Sequence, residues 1–200
     1  MDAIHLQKHP PALKRDNFDK LEQILEDDGI VLLPTDTIWC IATVANSPIG
    51  IERIKQLKKN NTADTFIVLV DSISMLKQYV GSVHPRIETL MMFHKRPLTV
   101  VYNQGINLPS NLVKEKEPVA VRVVQDSFCK NLIRSIGKPL IVATANLNGE
   151  PFPSIFGEIS SAIIQGVDYV AQHRRNDKAP KEPSIIVKYD NEGELVFLRD

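Results

Sequence analysis

Cysteine is scarce in this chain of 200 residues: Cys40 and Cys129 are the only two, and both sit among apolar neighbours. Two such residues exclude a disulfide framework and read as buried thiols in a reducing compartment. Net charge is absent too. The 24 basic and 24 acidic residues cancel, so any anion site must come from local clustering of Lys and Arg, not from bulk attraction. No apolar run approaches the ~18 residues of a membrane helix. The N-terminal MDAIHLQKHPPALKRD has no apolar core of signal-peptide length. A cytoplasmic protein without membrane contact is expected. The histidines (His5, His9, His84, His94, His173) are scattered without paired ligand spacing, so no metal site is expected. A Gly-rich phosphate loop of the Walker or Rossmann type is missing, and no nucleophile elbow supports a Ser/His/Asp arrangement.

What is present suits one globular domain over residues 1–200, with 1–15 as a loosely ordered N-terminal extension. No repeat, low-complexity tract or linker divides the chain. Its organising stretch is Ile30 to Asn46, IVLLPTDTIWCIATVAN. Two apolar runs rich in β-branched residues flank the polar Pro34-Thr35-Asp36-Thr37, which reads as two buried strands meeting at a corner. Pro34 fixes φ there and Asp36 can hold the turn through its side chain.

Around this stretch helices and strands alternate. Asp16 is read as N-cap of a helix through Phe18, Leu21, Ile24 and Leu25, closed by Gly29 as the C′ residue. Ser47-Pro48 opens a second helix with Ile51, Ile54 and Leu57 inward and Lys58 at its end. Further helices are expected from Ser72 through Tyr79, over His84–Phe93, Ser127–Ile136 and Ser154–Ile164. Strands are expected over Phe66–Val70, Leu98–Tyr102, Val119–Val124, Leu140–Ala143 and Tyr169-Val170. Ser184–Tyr189, a turn at Asn191–Gly193 and Leu195–Leu198 read as a closing hairpin. The pattern gives an α/β domain with a mixed sheet. Arg122 stands inside an apolar strand, where it must end in water or find an anionic partner.

Thr35, Thr37, Lys58, Arg122, Thr144, Asn146, Ser184 and Arg199 fall at strand or helix ends, where open α/β sheets bind ligands. Cations and hydroxyls without an obvious general base suit an anionic ligand held by charge-assisted hydrogen bonds.

Order and spacing point further. PTDTIWCIA, the helix end Leu57-Lys58-Lys59-Asn60, FIVLVDS, Pro97-Leu98-Thr99, Val121-Arg122-Val123, Thr144-Ala145-Asn146-Leu147-Asn148-Gly149 and Pro183-Ser184-Ile185-Ile186-Val187 follow one another as do the motifs PTDTVYGLA, K-x-R, PGPLT, VRVP, SANLSG and PSTIV. In these segments the chain resembles the YrdC-like family from about Asp19 to Arg199. The resemblance implies a YrdC/RibB-like fold, a large twisted mixed sheet flanked by helices around a basic concave cavity. It implies synthesis of threonylcarbamoyl-AMP from L-threonine, bicarbonate and ATP for tRNA modification, a nucleotidyltransferase reaction, with Mg²⁺ on the triphosphate. Thr35, Arg122 and Ser184 would hold threonine, and Lys58, Thr144, Asn146 and Arg199 the nucleotide. Lys58 and Arg122 would carry the catalytic charge. The family also implies double-stranded RNA or tRNA as a partner, here through Lys95-Arg96 and the loop His173 to Lys181. Asn60 stands in place of the K-x-R arginine, Cys40 in place of a glycine and Thr144 in place of a serine. The resemblance therefore extends to a second member type, a YciO-like paralogue that binds nucleotide or double-stranded RNA without synthase activity.

Overall fold

A computed structural model describes residues 16–59, 66–113, 117–189 and 194–199. The N-terminal extension, Asn60 and the turn at Asn191–Gly193 lie outside the described residues. Helices α1 (Phe18–Glu26), α2 (Pro48–Lys58), α3 (Ile73–Leu76), α4 (Pro85–Phe93), α5 (Ser127–Ile136) and α6 (Ser161–Gly166) alternate with strands β1 (Val31–Pro34), β2 (Trp39–Val44), β3 (Ile67–Val70), β4 (Leu98–Tyr102), β5 (Val119–Val123), β6 (Leu140–Thr144), β7 (Tyr169–Val170), β8 (Ile185–Tyr189) and β9 (Leu195–Arg199). The strands form one sheet in the order β7-β1-β2-β6-β3-β5-β4-β8-β9. β1/β7, β3/β5 and β4/β8 run parallel, and the other neighbours antiparallel. This is the expected α/β fold with a large mixed sheet.

The corner read from sequence is the hairpin β1–β2, in register from Val31↔Ala42 to Pro34↔Trp39. Every residue of both strands is buried, as continuous apolar runs covered on both faces require. Ser47 caps α2 by accepting from the Gly50 amide at 2.8 Å, and Pro48 takes the first turn.

Several local readings are corrected. Asn17, not Asp16, caps α1 through the Lys20 amide. The Asp16 carboxylate instead accepts from the amides of Gln172 and His173, at 2.6 and 2.7 Å. At the other end of α1 the left-handed residue is Asp28, with φ 59°. Gly29 follows it and donates to the Ile24 carbonyl at 2.8 Å, so it is the second residue of a Schellman closure. It must be glycine for space, since a Cβ there would lie 2.5 Å from Ile24. The helix expected over Ser154–Ile164 is a 3-10 turn, Phe156–Glu158, followed by the separate α6. Glu158 reaches back to the amide and hydroxyl of Ser154, and the Phe156 ring is held between Trp39 and Arg175. These contacts fix the first turn before a regular helix can propagate. α3 stops at Leu76, short of Tyr79. Arg199 belongs to β9 itself and does not follow it.

Candidate active site

The sheet carries a cavity of about 420 Å³, walled by β2 (Cys40), β6 (Val142, Thr144), β3 (Ile67), β5 (Ala120, Arg122), β4 (Val101), Ser184 just before β8, β8 (Ile186) and β9 (Leu198, Arg199), with Thr37 and Ile38 of the corner also in its lining. None of the described residues lining it is acidic. Two guanidiniums and several hydroxyls face a mostly aliphatic surround, which is the composition of a site for an anion of limited size.

The predicted site residues fall into two clusters. The first is built on Arg122. Its strand neighbours are apolar, so its side chain points into the fold and is 2% exposed. A lone buried cation is too costly to keep, and the partner is Asp36, whose Oδ1 lies 3.2 Å from Arg122 Nη2. The other oxygen of Asp36 accepts from the Gln125 amide at 3.0 Å, which holds the acid in the turn. Arg122 Nη2 also approaches Thr35 Oγ1 at 3.4 Å. That hydroxyl is already engaged: it donates to the Ile38 carbonyl at 2.9 Å, accepts from the Thr37 amide at 3.1 Å and lies 2.8 Å from Thr37 Oγ1. Thr35 is fully enclosed and acts here on Arg122, while Thr37 stands at the cavity wall. Arg122 Nε is buried with no hydrogen-bond partner.

Ser184 and Arg199 complete this cluster. Ser184 Oγ lies 2.7 Å from Thr99 Oγ1, and both residues are buried. Arg199 donates from Nε to the Ser184 carbonyl at 3.0 Å and from Nη2 to its hydroxyl at 3.3 Å. Register explains the gathering: Thr99 pairs with Arg122 across β4–β5 and with Ile186 across β4–β8, and Ile186 pairs with Arg199. Burial first, then the charge of Arg122, holds the Arg199 guanidinium below its usual range. Two like charges sharing one cavity are relieved by an anion between them. Arg199 therefore bonds directly to Ser184, while Thr144, expected to share the nucleotide with it, lines the same cavity.

The second cluster is built on Lys58. Although it ends α2, it is 3% exposed. Its ammonium donates to the Thr144 carbonyl at 2.6 Å, the Asn146 carbonyl at 2.5 Å and Asn146 Oδ1 at 3.0 Å. An ammonium has three donors, and the loop after β6 uses all of them. The Thr144 hydroxyl donates to Asn146 Oδ1, and Asn146 Nδ2 donates to the Glu150 carbonyl at 2.6 Å. Lys58 thus shapes the 144–149 loop as well as charging it. Burial is the main cause that pushes its ammonium down to about 8, against the pull of Cys40 and Glu150. The Cys40 thiol, also in the wall, is pushed up to about 11 by burial, so it is a neutral filler at neutral pH and not a nucleophile.

Asp36 and Thr99 were not among the residues assigned to the site from sequence, while Thr37 was in the candidate set without a named role. For Asp36 a signal existed, because an Arg inside an apolar strand calls for an acid. For Thr99 the signals were a hydroxyl in an otherwise apolar strand and its place in the Pro97-Leu98-Thr99 segment. Among the described residues no group of three His, Cys, Asp or Glu lies close enough to hold a metal, and no helix is long and apolar enough to cross a membrane.

The threonylcarbamoyl-AMP synthase of Pseudoalteromonas translucida is 25% identical over 148 residues, covering 72% of this chain and 79% of that protein. The synthase of Escherichia coli K12 is 25% identical over 142 residues, 70% of this chain and 75% of its own. Among solved structures, the Sua5 protein of P. abyssi complexed with L-threonine superposes with a TM-score of 0.77 at 19% identity over 93% of this chain. This chain spans only 55% of that one. E. coli YciO gives 0.78 at 18% identity, covering 93% of this chain and 92% of its own. The Sua5/YciO/YrdC family model, described as "Telomere recombination", matches residues 23–200, and the chain belongs to that family.

Proposed function

We propose that this protein forms threonylcarbamoyl-AMP from L-threonine, bicarbonate and ATP, the product that tRNA threonylcarbamoyladenosine modification consumes. The observation that carries the reading is the acid-free cavity with Arg122 and Arg199 in its wall. Its support is the likeness to relatives named threonylcarbamoyl-AMP synthase. Arg122 and Ser184, with Thr35 orienting Arg122, hold the carboxylate of threonine. The threonine amine takes up carbon from bicarbonate with loss of water and becomes a carbamate. A carbamate oxygen then attacks the α-phosphorus of ATP, the bond to the β-phosphate breaks, and pyrophosphate leaves. Such a displacement asks the protein for positioning and charge neutralisation more than for proton transfer. Lys58, Thr144, Asn146 and Arg199 supply the cations and donors for the nucleotide. Mg²⁺ enters as part of the MgATP substrate, held mainly by the phosphates.

A second reading, a YciO-like protein that binds nucleotide or RNA without this synthesis, is favoured by one observation. The Lys58 ammonium is spent on the 144–149 loop, so a phosphate must displace one of its three hydrogen bonds to reach it. Asn60, two positions on, brings no charge that could replace it. Asn60→Arg separates the readings by threonine-dependent pyrophosphate release. In a weakened synthase the rate rises by about tenfold for each ~1.4 kcal/mol regained; in a binder ATP tightens and no pyrophosphate appears. Of the cations proposed to meet RNA, Arg174 and Arg175 are turned onto backbone carbonyls and Arg96 faces Glu182 at 3.4 Å. RNA contact would then fall to Lys95, Lys178 and Lys181, and would be weak and salt-sensitive.

A further inference from the structure

Arg174 stands outside the cavity wall, yet it grips the corner on which the site is built. Its Nη1 donates to the Thr35 carbonyl at 2.7 Å, and its Nε lies 3.3 Å from Asp177 Oδ2. Its backbone is left-handed, with φ 57°, a conformation that a residue with a Cβ keeps only when its surroundings over-determine it. The surroundings do so. Asp16 accepts from the two preceding amides, the His173 ring stacks on Phe128 with centroids 4.8 Å apart, and Asp177 Oδ1 accepts from the Ala179 amide at 3.1 Å. A pinned loop thus delivers one guanidinium to one carbonyl.

The consequence runs through Thr35. Its carbonyl is held by Arg174, while its hydroxyl meets Arg122 and accepts from the Thr37 amide. Fixing that peptide fixes which way the hydroxyl faces, and with it the direction of Arg122 and the place of Thr37 in the cavity lining. The geometry points to Arg174 as a positioning residue for the amino-acid half of the cavity, an inference that rests on the threonine-binding role proposed above. Arg174 touches neither substrate in this account. It acts by holding the corner in its binding shape.

Arg174→Gly is the discriminating variant, because glycine accepts φ 57° without strain and removes the grip on Thr35 together with the contact to Asp177. In the full-length protein, L-threonine affinity is measured by calorimetry, exchange of the Thr37 amide by NMR, and melting by circular dichroism. Arg174→Gly is expected to stay folded and melt within a few degrees of wild type. It is expected to bind L-threonine at least tenfold more weakly, to exchange the Thr37 amide faster and to leave ATP affinity unchanged; Arg174→Lys, which keeps a donor, restores part of the threonine affinity. Threonine affinity equal to wild type in Arg174→Gly overturns the assignment. If wild type binds no L-threonine, the proposed function fails, and the Thr37 amide then decides the positioning role alone: faster exchange in Arg174→Gly supports it and unchanged exchange overturns it.

Discussion

Arg122→Met is expected to cost about 3–5 kcal/mol of folding stability, the usual result of removing one partner from a buried ion pair. The methionine fills much of the guanidinium's space, but the Asp36 carboxylate is left with only the Gln125 amide for company. For a domain of this length each kcal/mol is worth roughly 2–4 °C of melting temperature. The same change removes the charge facing the cavity, so threonine-dependent pyrophosphate release should fall by about 10²–10³, the range for a lost transition-state donor. Adding Asp36→Asn tests the explanation. The double variant should recover much of the stability, since no unpaired charge remains, and none of the activity. Denaturant unfolding of the two variants beside wild type measures the first; recovery of activity in the double variant would show that Arg122 serves the fold and not the chemistry.

Lys58→Met should have the second largest effect, through a different route. It strips the donors from two carbonyls and an amide oxygen in the 144–149 loop, at about 1–3 kcal/mol for each acceptor that water cannot reach. MgATP should then give little or no rise in melting temperature, whereas wild type is stabilised by mass action. The pH dependence has a definite sign. The folded-state ammonium is depressed to about 8 by burial, below its ordinary value near 10.4. Between about pH 8 and 10.4 the unfolded chain binds more protons at this residue, so its contribution to stability rises with pH across that window. Nucleotide binding runs the other way, weakening as the ammonium loses its proton above about pH 8. Lys58→Met removes both slopes. A wild-type affinity for MgATP that stays flat from pH 7 to 9 would separate Lys58 from the phosphate site.

The corner shows how much of this was legible beforehand. Two short, β-branched apolar runs around Pro34-Thr35-Asp36-Thr37 are enough to predict two buried strands meeting at a corner; that they pair with each other as a hairpin comes from the structure. Arg122 announces a buried pair as well. Its partner cannot be chosen from sequence, since Asp36 reaches it only once β1–β2 and β5 are set in one sheet. Thr99 and Ser184 meet through a parallel β4/β8 register that no local pattern encodes. Lys58 and Arg199 are legible as candidate cations, but their burial and partners are not, since these depend on the loop after β6 folding over Lys58 and on β9 pairing with β8. The Ser154–Ile164 segment misled in the opposite way, as its helical spacing yields to Glu158 turning back on Ser154 and to the packing of Phe156 on Trp39. Local hydroxyl and aromatic contacts won there over propensity.

The central claim is tested most directly by incubating the purified protein with ATP, Mg²⁺, L-threonine and isotopically labelled bicarbonate, and identifying the nucleotide products by mass spectrometry. The account predicts threonylcarbamoyl-AMP carrying the label, formed only when threonine, bicarbonate and ATP are all present, and reduced together with pyrophosphate release in Arg122→Met. Binding of ATP with no labelled adenylate, under conditions where a relative with synthase activity makes it, would contradict the account and leave the cavity as a nucleotide-binding site without this reaction.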